Sequence, residues 1–279
     1  MTSGSLRTQT LRWLHTHGIA VSKRLGQHFL VDETVLERIL DHARITSTDV
    51  VLEIGPGAGT LTRALAQRAQ LVIAIEKDSR LFEALQSEMG VDPRLTILRG
   101  DALRIDWPLC TKLVANLPYG ISSPAIFKFL DSTIPVAVLM LQREFADRLV
   151  ASVGTKDYGR LTVMVDYMGT VDLLEEIRRK CFYPEPAVDS ALVRVTRRKT
   201  PAFALADPVL FAQLVTALFG QRRKKVRTPL SAFIQQQGLA PHRLQGVLDR
   251  VPWLDRRAEE LSPPELAQMA NTVHEELLQ

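Results

Sequence analysis

Three glycines alternate with other residues between an apolar run and a helical segment, and this loop restricts the possible folds more than any other feature of the chain. Residues 53–60 read EIGPGAGT. Glycine has no Cβ atom, so it lets the backbone turn sharply and lets a ligand approach the main chain closely. The spacing G-x-G-x-G differs from the G-x-G-x-x-G of dinucleotide-binding enzymes. A tight structural turn is the alternative, but the position between strand and helix favours a ligand loop that Gly55 and Gly57 form.

Short apolar runs alternate with helical segments on both sides of this loop. Such alternation is typical of an α/β fold, in which helices cover both faces of a parallel sheet. From Asp207 onward the pattern is helical throughout, beginning with Asp-Pro at the cap and first-turn positions. The predicted strands are 49–54, 71–76, 95–98, 112–116, 135–141 and 188–197, and the predicted helices before Asp207 are 6–17, one capped by Asp32, 60–68 and 79–89.

The change of pattern near residue 200 predicts two domains. An α/β domain covers 1–200 and includes a basic N-terminal extension, and a small all-helical domain covers 201–279. The first acidic residue of the chain is Asp32, and Arg7 and Arg12 precede it. An organelle transit peptide is one interpretation of this segment, but a basic surface helix of the mature protein is favoured.

The composition excludes several classes of protein. Hydrophobic residues make up 46% and charged residues 24% of the chain, which excludes a disordered or fibrous protein. The longest apolar stretch, 134–141, is eight residues long and cannot cross a bilayer, so no membrane association is expected. Two cysteines and scattered histidines predict neither a disulfide framework nor a metal site. A reducing compartment, the cytoplasm, is expected.

Positive charge is concentrated between residues 170 and 230, which hold 12 Lys and Arg against 6 Asp and Glu. The rest of the chain holds 23 against 25, so a polyanionic partner is expected to face this region. A solvated helix face is the alternative explanation of the densest run, but the absence of a nearby acid favours phosphate contacts. That run, the cationic tract, contains Arg222, Arg223, Lys224, Lys225 and Arg227.

Acidic residues follow the next two predicted strands. Glu76 closes the second strand about 20 residues after the glycines, where a carboxylate can accept both hydroxyls of a ribose. Asp101, between Gly100 and Ala102, follows the third strand and can accept a hydrogen bond from an adenine amino group. Either acid alone has an ordinary explanation, a solvated strand end or a turn. Together with the glycine loop they resemble the pattern of S-adenosylmethionine-dependent methyltransferases, whose sheet is a Rossmann-like class I fold.

The fourth strand ends in Asn116-Leu117-Pro118-Tyr119. This sequence is similar to the N/D-P-P-Y/F motif of enzymes that methylate the exocyclic amino groups of nucleobases. The side-chain oxygen of Asn116 and the carbonyl of Pro118 can each accept one amino hydrogen, and Tyr119 offers a face for stacking an extruded base. A proline turn that merely ends the strand is the alternative, but the motif follows the other three at the expected strand.

The order of all these motifs resembles that of the KsgA-type ribosomal RNA adenine dimethyltransferases, the dimethyladenosine transferase family. The resemblance covers residues 23–230 and includes QHFL at 27–30 and FYPEPAVDS at 182–190. It implies that His28, Leu30, Ala102 and Asn116 contact S-adenosylmethionine. It also implies that Phe182 is the second aromatic wall, although Phe182 taken alone is more readily explained as core packing.

The resemblance implies a substrate and a setting for the reaction. The enzyme would be a monomer that transfers four methyl groups to the N6 atoms of two adjacent adenosines near the 3′ end of small-subunit rRNA. It would act on a pre-ribosomal particle during ribosome biogenesis, with the helical domain on the rRNA. Three alternatives remain open: an Erm-type enzyme of large-subunit rRNA, a non-catalytic nucleic-acid-binding relative, and a small-molecule methyltransferase.

Overall fold

A computed structural model describes residues 4–22 and 25–278 of the chain. The predicted start of the family resemblance at residue 23 and the first residues of the predicted N-terminal domain lie outside this description. Helix α1 (Leu6–Thr16) begins where the side chain of Ser5 accepts the N–H of Thr8. Helix α2 (Glu33–Ala43) begins at Asp32, whose carboxylate accepts the N–H of Val35, as the sequence predicts.

A mostly parallel sheet forms the centre of the first compact unit, which comprises residues 1–146 and 170–197. A short strand β1 (Phe29–Leu30) precedes the sheet and pairs with β8 (Phe182–Tyr183). The sheet has the order β4-β3-β2-β5-β6-β9-β7, in which β9 runs antiparallel to β6. Its strands are β2 (Val50–Ile54), β3 (Leu71–Glu76), β4 (Leu95–Arg99), β5 (Lys112–Asn116), β6 (Val136–Gln142), β7 (Gly169–Ile177) and β9 (Ser190–Arg197).

Helices cover both faces of this sheet. Val51 and Leu52 are successive residues of β2, so their side chains point to opposite faces, and both are completely buried. On one face Val51 packs in a core with Val35 of α2 and Leu65. The helices that follow the strands are α3 (Thr60–Ala66), α4 (Ser79–Met89), α5 (Ser122–Asp131) and α6 (Arg143–Leu149).

The second compact unit is helical and is formed by two separate stretches of the chain, 147–169 and 198–279. Residues 147–169 therefore belong to the helical unit, whereas the sequence predicted that residues 1–200 form one domain. Tyr158 and Val163 belong to the same core as the later helices, and the Tyr158 hydroxyl donates to the carbonyl of Leu261 at 2.7 Å. Its helices are α7 (Arg160–Met168), α8 (Pro208–Gly220), α9 (Arg227–Gln236), α10 (Pro241–Arg250) and α11 (Pro263–Leu278).

Gly59 joins the glycine loop to α3 in a conformation that other residues avoid. Its φ is +75°, and a Cβ atom there would lie 2.8 Å from both Leu85 Cδ2 and Met89 Cε. We expect Gly59→Ala to lower the free energy of unfolding by about 1–3 kcal/mol, because left-handed backbone strain and overpacking both act against it. Urea denaturation measures the loss.

Gly120→Ala is the matched control for this prediction in the same unit. Nothing lies within 4 Å of a Cβ at Gly120, and its backbone is outside the left-handed region. That variant is expected to unfold at nearly the wild-type urea concentration. Equal midpoints for the two variants would contradict the role of Gly59.

Candidate active site

A cavity of about 530 Å³ lies at the carboxyl ends of the parallel strands in the first unit. The carboxyl ends of parallel strands meet at one edge of a sheet, so residues far apart in sequence line the same space. The structure brings together on this cavity all but one of the residues predicted for the first domain. They are His28, Leu30, Gly55, Gly57, Glu76, Asp101, Ala102, Asn116, Pro118 and Tyr119.

The glycine loop has a left-handed backbone and approaches one neighbouring ring closely. Gly55 and Gly57 have φ values of +72° and +62°, in the left-handed region. A Cβ atom on Gly57 would lie 3.0 Å from Cδ1 of Phe29, and one on Gly55 would lie 3.4 Å from the ring of Pro118. Gly57 is therefore needed both for its backbone conformation and for the space around it, whereas Gly55 is needed for its backbone conformation.

Glu76 fixes the loop through its buried carboxylate. Its Oε2 accepts the backbone N–H of Gly57 at 3.2 Å, and its Oε1 accepts that of Asp78 at 2.8 Å. Burial raises the pKa of this carboxyl, while the backbone hydrogen bonds from Asp78 and Gly57 act in the opposite direction. Because Glu76 lines the cavity and each carboxylate oxygen has more than one lone pair, the group can accept further hydrogen bonds from a ligand.

Asp101 lies on the cavity with one oxygen in an ion pair. Lys77 Nζ is 2.8 Å from its Oδ2, and the N–H of Leu103 donates to its Oδ1 at 3.0 Å. The hydrogen bond from Lys77 is the main reason why the pKa of Asp101 is lowered. The carboxylate is therefore an ionised acceptor at neutral pH, as the sequence-based role requires.

The Asn116 amide is oriented by the main chain of the N-terminal segment. Its Nδ2 donates to the carbonyl of His28 at 2.9 Å, which leaves Oδ1 as the atom of the amide that can accept. The carbonyl of Pro118 accepts the N–H of Ile121 at 3.0 Å and keeps its second lone pair. The two acceptors predicted at the end of β5 are thus both present.

Tyr119 is held at its hydroxyl and along its ring. The hydroxyl lies 2.7 Å from Ser190 Oγ, and burial raises the pKa of the phenol. The ring of His28 stacks on the Tyr119 ring with centroids 5.5 Å apart, and Nδ1 of His28 lies 2.7 Å from the carbonyl of Pro184. One side of the predicted stacking platform is therefore occupied by an imidazole.

Phe182 does not line the cavity, which corrects the prediction that it forms a second aromatic wall. Its side chain is completely buried in the core that contains Leu30, Val35 and Ile39. The pairing of β8 with β1 places Phe182 opposite Leu30, and a ring enclosed on all sides has no face free for a base. Core packing, the interpretation that the residue alone favoured, describes its position.

Two side chains on the cavity, Gln27 and Glu53, received no individual role in the sequence prediction. Gln27 bridges the N-terminal segment to α4: its Nε2 donates to Asp78 at 2.9 Å, and its Oε1 accepts the N–H of Ser22 at 2.8 Å. Glu53 is 2% exposed and lines the cavity, and its Oε2 has no hydrogen-bond partner within the described ranges 4–22 and 25–278. The position of Glu53 two residues before the first glycine of the loop was the sequence signal that could have identified it.

Four cations of the tract, Arg222–Lys225, lie in the turn between α8 and α9, and the fifth, Arg227, is the first residue of α9. Arg222 is a correction to the predicted phosphate contacts, because its guanidinium pairs with Glu259 and donates to the carbonyls of Thr155 and Lys156. Lys225 is exposed and lies 3.2 Å from Asp255. The remaining cations of the tract, Arg223, Lys224 and Arg227, are exposed.

Two absences bear on the class of site. Among the residues that the structure describes, no three His, Cys, Asp or Glu side chains are grouped so that they could hold a metal ion. In the same part of the chain, every helix is too short or too polar to cross a membrane.

Comparisons with known proteins agree on one group. The family model described as ribosomal RNA adenine dimethylase matches residues 19–263. The chain is 42% identical to a probable ribosomal RNA small subunit methyltransferase A of Methanopyrus kandleri, over 94% of this chain and 95% of the relative. It is 40% identical to the protein of the same name from Thermococcus onnurineus, over 95% and 96%.

Two solved structures resemble the fold. A dimethyladenosine transferase from Plasmodium falciparum matches with a TM-score of 0.75 and 29% identity, over 86% of this chain and 95% of that one. The 23S rRNA methyltransferase ErmE matches with a TM-score of 0.62 and 30% identity, over 90% and 100%.

The buried carboxyl of Glu53 predicts a particular pH dependence of stability. Burial is the main cause that raises its pKa from 4.5 to about 8. Between those values the folded protein keeps a proton that the unfolded chain releases, so the free energy of unfolding falls as the pH rises. We expect Glu53→Gln to remove much of this fall, a difference of a few kcal/mol.

Urea denaturation of both proteins at about pH 5, 7 and 9 measures the effect. The variant should gain stability relative to wild type as the pH rises. Glu76 is present in both proteins, so its own pH dependence largely cancels. A stability difference that does not change with pH would show that Glu53 is ionised in the folded protein.

Proposed function

Because the chain belongs to the ribosomal RNA adenine dimethylase family, we propose that it methylates N6 of two adjacent adenosines near the 3′ end of small-subunit rRNA. The chain is an rRNA adenine dimethyltransferase. The proposal that the methyl acceptor is an exocyclic amine rests on Asn116. Its amide is fixed by the His28 carbonyl, and it lines the cavity together with Tyr119. A site built for an exocyclic amine needs such an oriented acceptor.

The residues on the cavity fit S-adenosylmethionine as the methyl donor. Glu76 presents a carboxylate suited to ribose hydroxyls, and Asp101 presents an ionised acceptor suited to an adenine amino group. Because the loop carries glycines, its main chain is accessible to a ligand, and at Gly57 a Cβ atom would lie too close to Phe29. Leu30 and Ala102 form an apolar part of the cavity wall. When bound, this cofactor supplies an electrophilic methyl group on a cationic sulfur.

The protein's contribution to the reaction is alignment. Asn116 Oδ1 and the Pro118 carbonyl accept the two amino hydrogens of the target adenine, which directs the nitrogen lone pair toward the methyl group. The cofactor that Glu76 and Asp101 would hold would supply the methyl group to this nitrogen and keep the sulfur as its leaving group, and the methylated amine would lose a proton to water. In the second transfer to the same nitrogen only one hydrogen remains, so one acceptor must then face a methyl group.

Tyr119 is the platform for the extruded base. Its hydroxyl bond to Ser190 fixes the ring, so little freedom is lost when a base stacks on it. Stacking on an aromatic side chain contributes roughly 1–3 kcal/mol per base. His28, which packs on Tyr119, would support the platform from the side that the base does not use.

The second unit is proposed to hold the rRNA outside the catalytic site. Arg223 and Lys224 are exposed cations on the turn before α9, and Arg227, the exposed first residue of α9, follows them closely, a composition suited to phosphates. Arg222 is left out of this role because Glu259 neutralises it. The rRNA is proposed to be presented in a pre-ribosomal particle, with the enzyme acting as a monomer.

Methylation of purified ribosomal subunits tests the choice of substrate. The relatives at about 40% identity are named for the small subunit, whereas ErmE is named for 23S rRNA. Unmethylated small subunits and large subunits are incubated separately with the protein and labelled cofactor, and primer extension locates the products. Label on adjacent adenosines near the 3′ end of the small-subunit RNA is expected, and label on large subunits alone would overturn the proposal.

Asn116→Ala tests the alignment role. We expect the turnover number at saturating cofactor and RNA to fall on the order of a hundredfold, because the reacting nitrogen loses one of its two acceptors. RNA affinity should be nearly unchanged, since phosphate contacts are separate from this amide. Steady-state methylation kinetics give the turnover number, and filter binding gives the RNA affinity. Near-wild-type turnover would contradict the proposed role of Asn116.

A further inference from the structure

Three consecutive cations precede β8 and are not used by the site described above. Arg178, Arg179 and Lys180 are all exposed, and a single 3₁₀ turn covers Arg179–Cys181. We call Arg178–Lys180 the RRK turn. It belongs to the first unit, whereas the cationic tract belongs to the second.

The RRK turn is connected to the base platform by short hydrogen bonds. The N–H of Arg179 donates to Asp189 Oδ1 at 2.7 Å, and the next residue, Ser190, bonds the Tyr119 hydroxyl at 2.7 Å. The far end of the turn is fixed as well, because the carbonyl of Cys181 accepts the N–H of Val31 at 2.8 Å. The backbone that carries these cations is therefore held in place relative to Tyr119.

The acids around the RRK turn are occupied by other groups. Glu175 pairs with Arg38 at 2.7 Å, and Glu176 pairs with Arg143. One oxygen of Asp189 is occupied by the backbone of the turn itself. Within residues 4–22 and 25–278, no carboxylate lies within ion-pair distance of the side chains of the RRK turn. Three positive charges are thus left unpaired beside the catalytic site.

We propose that the RRK turn binds backbone phosphates of the RNA strand that flanks the target adenosine. The inference rests on the proposed function, since a base that stacks on Tyr119 must bring its own strand past the adjacent turn. Extruding a base requires its neighbours to be held, and phosphate contacts position the strand without reading its sequence. Exposed, unpaired cations on a fixed backbone are suited to this task.

The test compares two variants that lose the same charge. The first is the triple variant R178S/R179S/K180S. The control is R44S/R68S/R94S in the same unit: Arg68 and Arg94 lie just before the amino ends of β3 and β4, opposite the cavity, and Arg44 follows the end of α2 in the segment that leads into β2. Binding of the small-subunit target RNA is measured over a series of salt concentrations, and cofactor affinity is measured by calorimetry.

We expect the RRK variant to bind RNA more weakly and to lose roughly 2 units or more from the log–log salt slope, at about 0.7–0.9 per contact. Cofactor affinity should be unchanged in both variants, which also shows that the first unit is folded. The control should keep nearly the wild-type slope. A slope for the RRK variant equal to that of the control would overturn the proposal.

A local probe separates direct contact from a general loss of charge. A cleavage reagent attached at Lys180→Cys is expected to cut the RNA within a few nucleotides of the methylated adenosines. Cuts only at distant nucleotides would overturn the proposal while leaving the function intact. If instead the wild-type protein fails to methylate small subunits, the proposed function itself has failed, and the two failures are distinguishable.

Discussion

The geometry of the site depends on the buried carboxylate of Glu76 and on the two hydrogen bonds that it accepts. This carboxylate accepts N–H groups from Gly57 and from Asp78, so it ties the glycine loop after β2 to the end of β3 and the start of α4. The parallel register makes this possible, because Ile54 lies opposite Ile75, next to Glu76. Burying a carboxylate is costly, and two backbone donors offset part of that cost. Together with the hydrogen bond from the N–H of Gly55 to the carbonyl of Ile75 at 2.9 Å, this bridge holds the loop over the sheet edge.

His28 performs a comparable task on the other side of the cavity. Its carbonyl orients Asn116, its ring packs on Tyr119, and its Nδ1 lies against the Pro184 carbonyl. These contacts join segments that lie between 88 and 156 residues from His28 in the sequence into one wall. The catalytic motif at the end of β5 is therefore positioned by the N-terminal segment as well as by its own strand. The geometry of the site therefore depends on several distant segments of the first unit.

The residues at the carboxyl ends of the strands could be predicted from the sequence, because the alternation of apolar runs and helical segments shows where each strand ends. The glycines, Glu76, Asp101 and Asn116 each lie at the carboxyl end of a different strand. They line one cavity because the carboxyl ends of parallel strands meet at the same edge of the sheet. The sequence could not show that Phe182 pairs opposite Leu30 and turns into the core, or that Glu259 neutralises Arg222, because these contacts join distant segments. Strand β7 gave no periodic signal, since an edge strand with many exposed residues lacks a continuous apolar face.

The interrupted path of the chain has a consequence for synthesis on the ribosome. The sheet stops growing after β6, residues 147–169 go to the other unit, and β9 pairs with β6 only later. A nascent chain that has emerged as far as β6 carries an unpaired edge formed by an apolar strand, with Leu139 and Met140 that are completely buried in the finished protein. Open edges of this kind are where partly made sheets associate with one another. Between the synthesis of β6 and that of β9, the growing chain therefore carries an open apolar edge that the finished protein covers.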